Sequence, residues 1–152
     1  MNDIYERNIN IRLRQLDAQT VVLAASLLDL HHSISIEIKI DLSTQRIADA
    51  GVKMMRVPYT PCAMAAVNIE KIIGFRIERG VNKKIADALG HAAGCTHVVE
   101  ILQNAMRFAA SMLIGVKAGY GTHDKRKKLS EEERIAKVMP YLKNSCIVFK
   151  EG

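Results

Sequence analysis

Two thiols and two imidazoles stand where elements of secondary structure begin. Cys62 follows Pro58 and Pro61, Cys95 opens Cys95-Thr96-His97 after Gly94, and Asp29-Leu30-His31-His32 precedes an alternating stretch. A cysteine at the start of a helix lies near the positive end of the helix dipole, which favours its thiolate. Two thiolates with an imidazole and one more nitrogen or oxygen ligand make a soft site suited to zinc, or to iron in an iron–sulfur cluster. Cys62, Cys95 and His32 are therefore the candidate metal ligands. Asp29 and His97 are the candidates for a fourth position, although in a helix His97 lies about 200° around the axis from Cys95. A zinc ion with an open fourth position would also be catalytic.

Two other readings use the same residues. In one, the protein is a metal-free thiol enzyme or sulfur carrier, with Cys95 as the nucleophile and His97 or His32 as its base. In the other it is a structural or interaction protein without a site, because free cysteine is often buried only to fill space. No CxxC or HExxH spacing sharpens the choice, and no glycine-rich phosphate loop is present. Cys146 reads as a core or tail thiol, and His91 and His123 as loop residues. Met54, Met55, Met64, Met106 and Met112 read mostly as packing.

These residues need elements to position them. Asn8 to Leu16 alternates, with Ile9, Ile11 and Leu13 on one side. Gln19 to Leu28 is an aliphatic strand, and in Ser33 to Asp41 the residues Ile34, Ile36, Ile38 and Ile40 share a face. His32 is in phase with them, whereas a regular strand turns Asp29 and His31 the other way. Ile47 to Arg56 is a fourth strand, with Ala48, Ala50, Val52 and Met54 in phase. After Pro61 the period becomes helical. Cys62, Ala66, Ile69 and Ile73 form one stripe ending at Gly74, and Asn82 caps a short helix to Leu89 that Gly90 stops. The long helix after Cys95 carries Val98, Leu102, Ala105, Ala109, Met112 and Val116 on its stripe, and it is expected to lie across the isoleucine face. Ser130 with Glu133 is a capping box for a last helix, which Pro140 breaks or kinks. Strands first and helices after predict an α+β domain. It has an antiparallel meander of about four strands over 1–60 and helices over 61–145 packed on one face.

Length and composition bound the rest. With 152 residues, 49% of them apolar, the chain is most simply one domain. Three cysteines argue against a disulfide framework and for buried thiols or metal ligands. The longest uncharged apolar run, Val21 to Leu28, falls well short of the about 20 residues that span a bilayer. The N-terminal residues lack a signal-peptide core, so a cytoplasmic protein is expected, without a membrane. The net charge of +6 is concentrated in Lys117 and Lys125-Arg126-Lys127-Lys128. The run lacks interleaved aromatics, which favours a solvated loop over a nucleic-acid surface. The expected partner is an unidentified protein or small molecule, and a homo-oligomer is allowed.

Asp29, His32, Pro58-Tyr59-x-x-Cys62 and Gly94-Cys95-Thr96-His97 together resemble an uncharacterised bacterial domain family of unknown function. That resemblance covers most of the chain and implies no activity. More distantly, the layout is similar to the U-type scaffold proteins (Isc, Nif and Suf) of iron–sulfur cluster assembly. The matching parts are Ile38-Lys39-Ile40, Ile47-Ala48-Asp49-Ala50, Cys62-Ala63-Met64-Ala65, Ile73-Gly74 and Cys95 to Ala110. This resemblance implies a small antiparallel sheet with helices on one side and ligands gathered at one end, with Cys62 and Cys95 matching two of three scaffold cysteines. The position of the first cysteine is Leu30 here, that of the strand aspartate is His32, and that of the usual histidine is Gly94.

Overall fold

The computed structural model describes residues 4–119 and 128–150. His123 and Lys125-Arg126-Lys127 lie outside the described residues, so the readings placed on them go no further.

Four strands form one antiparallel sheet in sequence order: β1 (Arg7–Gln15), β2 (Thr20–Asp29), β3 (Ser33–Asp41) and β4 (Arg46–Arg56). The connections are short because the turn residues supply their own hydrogen bonds. Asp17 Oδ1 accepts from the N–H groups of Gln19 and Thr20 at 2.8 Å each. The register aligns the apolar sets: Ile11 faces Ala25, Ala25 faces Ile36, and Ile36 faces Val52. Leu23, Ile34, Ile38 and Ile40 on this face are fully buried. Each such side chain contributes roughly 1.5–3 kcal/mol. The opposite face carries Arg12, Arg14, Glu37 and Lys53, all exposed. This is the expected α+β arrangement, with one face of the sheet covered and the other open.

Two features of the sheet differ from a reading of regular alternation. The β3–β4 register shifts between Lys39 and Ile40, so one residue is added on β4. Ile47 is therefore buried and Ala48 exposed, the reverse of the expected phase. Asp29 belongs to β2, where it follows the buried set Val21, Leu23, Ala25 and Leu27, so it points inward. The expectation extended the phase of β3 back through a tight hairpin, and a hairpin resets the phase.

After β4, the stretch Thr60–Ile72 is a 3-10 helix, not the expected α-helix. Its three-residue turn stacks i and i+3 positions. Ile69 and Ile72 are accordingly the buried pair, while Ile73 is exposed. It packs on β4, and α1 (Val81–Leu89) packs on it in turn. The N-cap of α1 is Gly80 at φ 92°, a left-handed conformation, and Asn82 lies one residue inside the helix. Gly90 ends α1 as expected, donating to the Ala86 carbonyl.

Helix α2 (Thr96–Lys117) buries Val98, Ile101, Leu102, Ala105, Met106 and Ala109. The expected positions Met112 and Val116 give way to Leu113 as the buried residue of its later turns. Met55 and Met64 are exposed, so they are not core.

Residues Met1–Ala109 make one compact unit and Ala110–Gly152 another. The second contains α3 (Glu131–Leu142) with the predicted capping box. Glu133 N–H donates to Ser130 Oγ at 3.2 Å, and Ser130 N–H donates to Glu133 Oε2 at 2.7 Å. Pro140 is accommodated inside α3, which ends two residues later. Ser130→Ala is expected to cost about 1 kcal/mol locally. Amide exchange across α3 should then rise about fivefold, while exchange in the sheet stays unchanged.

Candidate functional site

The β2–β3 hairpin builds one side of the site. Asp29 Oδ1 accepts from His31 N–H at 2.9 Å and from His32 N–H at 2.7 Å, which closes the turn. The same oxygen takes the His32 ring at Nδ1, 2.9 Å away. The other oxygen, Oδ2, receives Arg7 Nε at 2.9 Å and pairs with Arg7 Nη2 at 2.8 Å. Arg7 Nη1 continues to Glu100 on α2 at 2.8 Å. Arg56 donates to the Asp29 carbonyl at 2.6 Å, satisfying the turn from the other edge. The Asp29 side chain is wholly excluded from solvent.

Burial pushes the Asp29 carboxyl up. Hydrogen bonds from Tyr5, the His32 ring and the two turn N–H groups outweigh that, holding it well below the usual carboxylate range. An ionised carboxylate only accepts, so the His32 ring presents a proton on Nδ1 to Asp29.

Helix α2 builds the other side. Gly94 makes its sharp start possible, because a Cβ there would overlap the Leu89 carbonyl. The carbonyl of Cys95 accepts from Val99 N–H at 3.1 Å, which places Cys95 at the N-terminal end of α2. Cys95 Sγ lies 3.8 Å from His97 Nδ1. The His97 ring lies against the His32 ring, with centroids 3.9 Å apart. Burial pushes the His97 imidazole down, and the positive charges of His32 and Arg7 add to this against Glu100 and Asp29. These favour the neutral form of His97, and in its Nε2–H tautomer Nδ1 can accept a proton.

Cys62, Cys95, His32 and His97 line one cavity of about 770 Å³, together with His31 and His91. Pro58, Tyr59, Pro61 and Met64 supply its apolar wall. The two thiols and the imidazole that the sequence reading expects to converge share the wall of this one cavity. His97, placed by the helical angle on the far side, is in contact with both Cys95 and His32. His31 sits at the exposed hairpin tip but reaches the wall, as does His91 from its short turn His91–Ala93. Asp29 does not line the cavity, because both its oxygens are engaged behind His32. Cys146 is exposed and far along the chain, in the second unit. Among the described residues, no three His, Cys, Asp or Glu side chains are grouped so as to hold a metal ion.

Arg7, Glu100 and Arg56 escaped the sequence reading. Arg7 did carry a signal: it is a cation in phase with Ile9, Ile11 and Leu13 on the apolar face of β1, where an unpaired charge would be costly.

No described helix is long and apolar enough to cross a membrane. A family model described as "Protein of unknown function (DUF2889)" matches residues 1–111, which contain every residue of this site. No curated protein and no solved structure matches the chain.

Proposed function

We propose, for a chain that belongs to the DUF2889 family, that Cys95 is a working thiol and His97 its proton acceptor. The observation that carries this reading is the 3.8 Å approach of Cys95 Sγ to the Nδ1 of a histidine whose neutral form is favoured, on the wall of a cavity. The thiol proton passes to His97 Nδ1 as the sulfur electron pair attacks an electrophilic carbon or the outer sulfur of a donor persulfide. A C–S or S–S bond forms, and the leaving group departs with its bonding pair. His32, fixed by Asp29, holds the His97 ring from its other side.

Iodoacetamide labelling at pH 7, mapped by mass spectrometry, tests this. Cys146 is exposed and serves as the internal reference. Cys95 is expected to label at least about tenfold faster than Cys146. Equal or slower labelling of Cys95 would overturn the proposal.

A second reading, zinc or iron held by Cys62, Cys95 and His32, draws on their shared cavity wall. Metal analysis of protein purified without a histidine tag decides between the two. Stoichiometric zinc or iron that disappears in Cys62→Ser would replace the thiol reading with this one.

A further inference from the structure

The face of the sheet turned away from the thiol site has its own polar organisation. The register places Asn10, Ser26, Ser35 and Lys53 in a single row across all four strands. Arg12 is the diagonal neighbour of Ser26, and Arg14 stands two residues farther along the same edge strand. These side chains line a shallow cleft of about 500 Å³, floored by Ala24 and Gly51. The side chains of Arg12, Arg14 and Lys53 have no hydrogen-bond or ion-pair partner among the described residues. The fourth cation, Lys39, is held by Asp49 at 2.8 Å. Glu37 is the remaining charged residue among those lining the cleft, so there the cations outnumber the acids.

We propose that this cleft binds a phosphate group, seated over the adjacent Ser26 and Ser35 hydroxyls. Neighbouring strands are about 4.8 Å apart, so both hydroxyls reach one oxyanion. Asn10 and Arg12 approach it from the β1 side and Lys53 from the β4 side. A carboxylate offers two oxygens to these five donors, whereas a phosphate group offers three or more, each able to take charge-assisted bonds. Among the described residues no aromatic side chain lines the cleft, so these offer no stacking platform of the kind that single-stranded nucleic acid requires. The small floor residues leave room for the group to approach the backbone. The site is independent of the thiol chemistry, being on the opposite face of the sheet.

Calorimetric titration of the full chain with inorganic pyrophosphate, at fixed ionic strength, tests the proposal. Saturable binding is expected, with amide NMR shifts at residues 10, 26, 35 and 53. Arg12→Gln and Lys53→Gln should each weaken binding about tenfold, and Glu37→Gln should tighten it. All three substituted side chains are exposed, so the fold is retained, as circular dichroism will verify. Glycerol phosphate and a phosphoserine peptide, compared at the same site, distinguish a phosphorylated metabolite from a phosphorylated protein as the natural source. Absence of saturation, affinity unchanged in both charge variants, or preferential binding of polyglutamate or single-stranded DNA would overturn the proposal. The labelling rate of Cys95 is a separate readout, so failure here leaves that test intact.

Discussion

Asp29→Ala is expected to destabilise the first unit by roughly 3–5 kcal/mol, lowering its thermal midpoint by roughly 10–20 °C. The reason is the number of groups that end on one buried carboxylate. Arg7 reaches Oδ2, while the His32 ring and the turn N–H groups of His31 and His32 reach Oδ1. Removing the carboxylate leaves a buried donor on His32 and strips Arg7 of its innermost partner. It also opens the hairpin that presents His32 to the cavity. Asp29→Asn keeps the shape and one acceptor but not the charge, so its loss should be smaller. Thermal denaturation followed by circular dichroism checks both.

The same residue sets an acid limit on stability. Asp29 titrates lower in the folded chain than in the unfolded one. The unfolded chain therefore binds the extra proton as pH falls through the ordinary carboxylate value of about 3.9. The stabilisation is complete above about pH 5 and is lost progressively below it. His97 is also lowered on folding, so its contribution has the same sign and begins to decline near the ordinary histidine value of about 6.5. Wild-type stability should thus fall steadily on acidification. Asp29→Ala should start lower and show a flatter profile below pH 4. An Asp29→Ala curve parallel to wild type would sink this account of the carboxylate.

His97→Gln is expected to slow alkylation of Cys95 by about tenfold or more at pH 7, with little change at pH 10. An unassisted cysteine ionises near 8.5, so only a few per cent is thiolate at neutral pH. The imidazole at 3.8 Å bypasses that limit by taking the proton as the sulfur attacks. Glutamine has no basic atom to do so, but it preserves the helix start and most of the side-chain volume. At pH 10 the thiol ionises without help, so the two proteins should converge. A rate ratio that persists unchanged at pH 10 would mean that His97 only shapes access to Cys95. The experiment is a stopped-time labelling series across pH, with Cys146 as the reference.

Much of this was legible along the chain because it depends on local periodicity. The two-residue alternation of Ile34, Ile36, Ile38 and Ile40 defines a strand with one apolar face. The pair Ser130 and Glu133 defines a helix start, and Gly90 a helix end. Each is decided by backbone geometry within a few residues, so it survives whatever the rest of the molecule does. The approach of Cys62, Cys95 and His32 to one cavity followed from the same logic, because the starts of successive elements gather at one end of the sheet.

Tertiary structure decided what spacing could not. The extra residue in β4 moved Ile47 inward in place of Ala48, because pairing with Ile40 and the packing of the covered face outweigh strict alternation. The segment after Pro61 became a 3-10 helix, which exchanged Ile73 for Ile72 in the core. Asp29 turned inward through its membership of β2, and it then collected Arg7 from β1 and the ring of His32 from across the turn. The stack of His97 on His32 joins residues 65 positions apart, and the bond of Arg7 to Glu100 spans 93. The sequence by itself determined the strands, the helices and the thiols and imidazoles that open them. Which of those groups touch was left to the folded chain, because contact energy depends on distance in space and the sequence records only distance along the backbone.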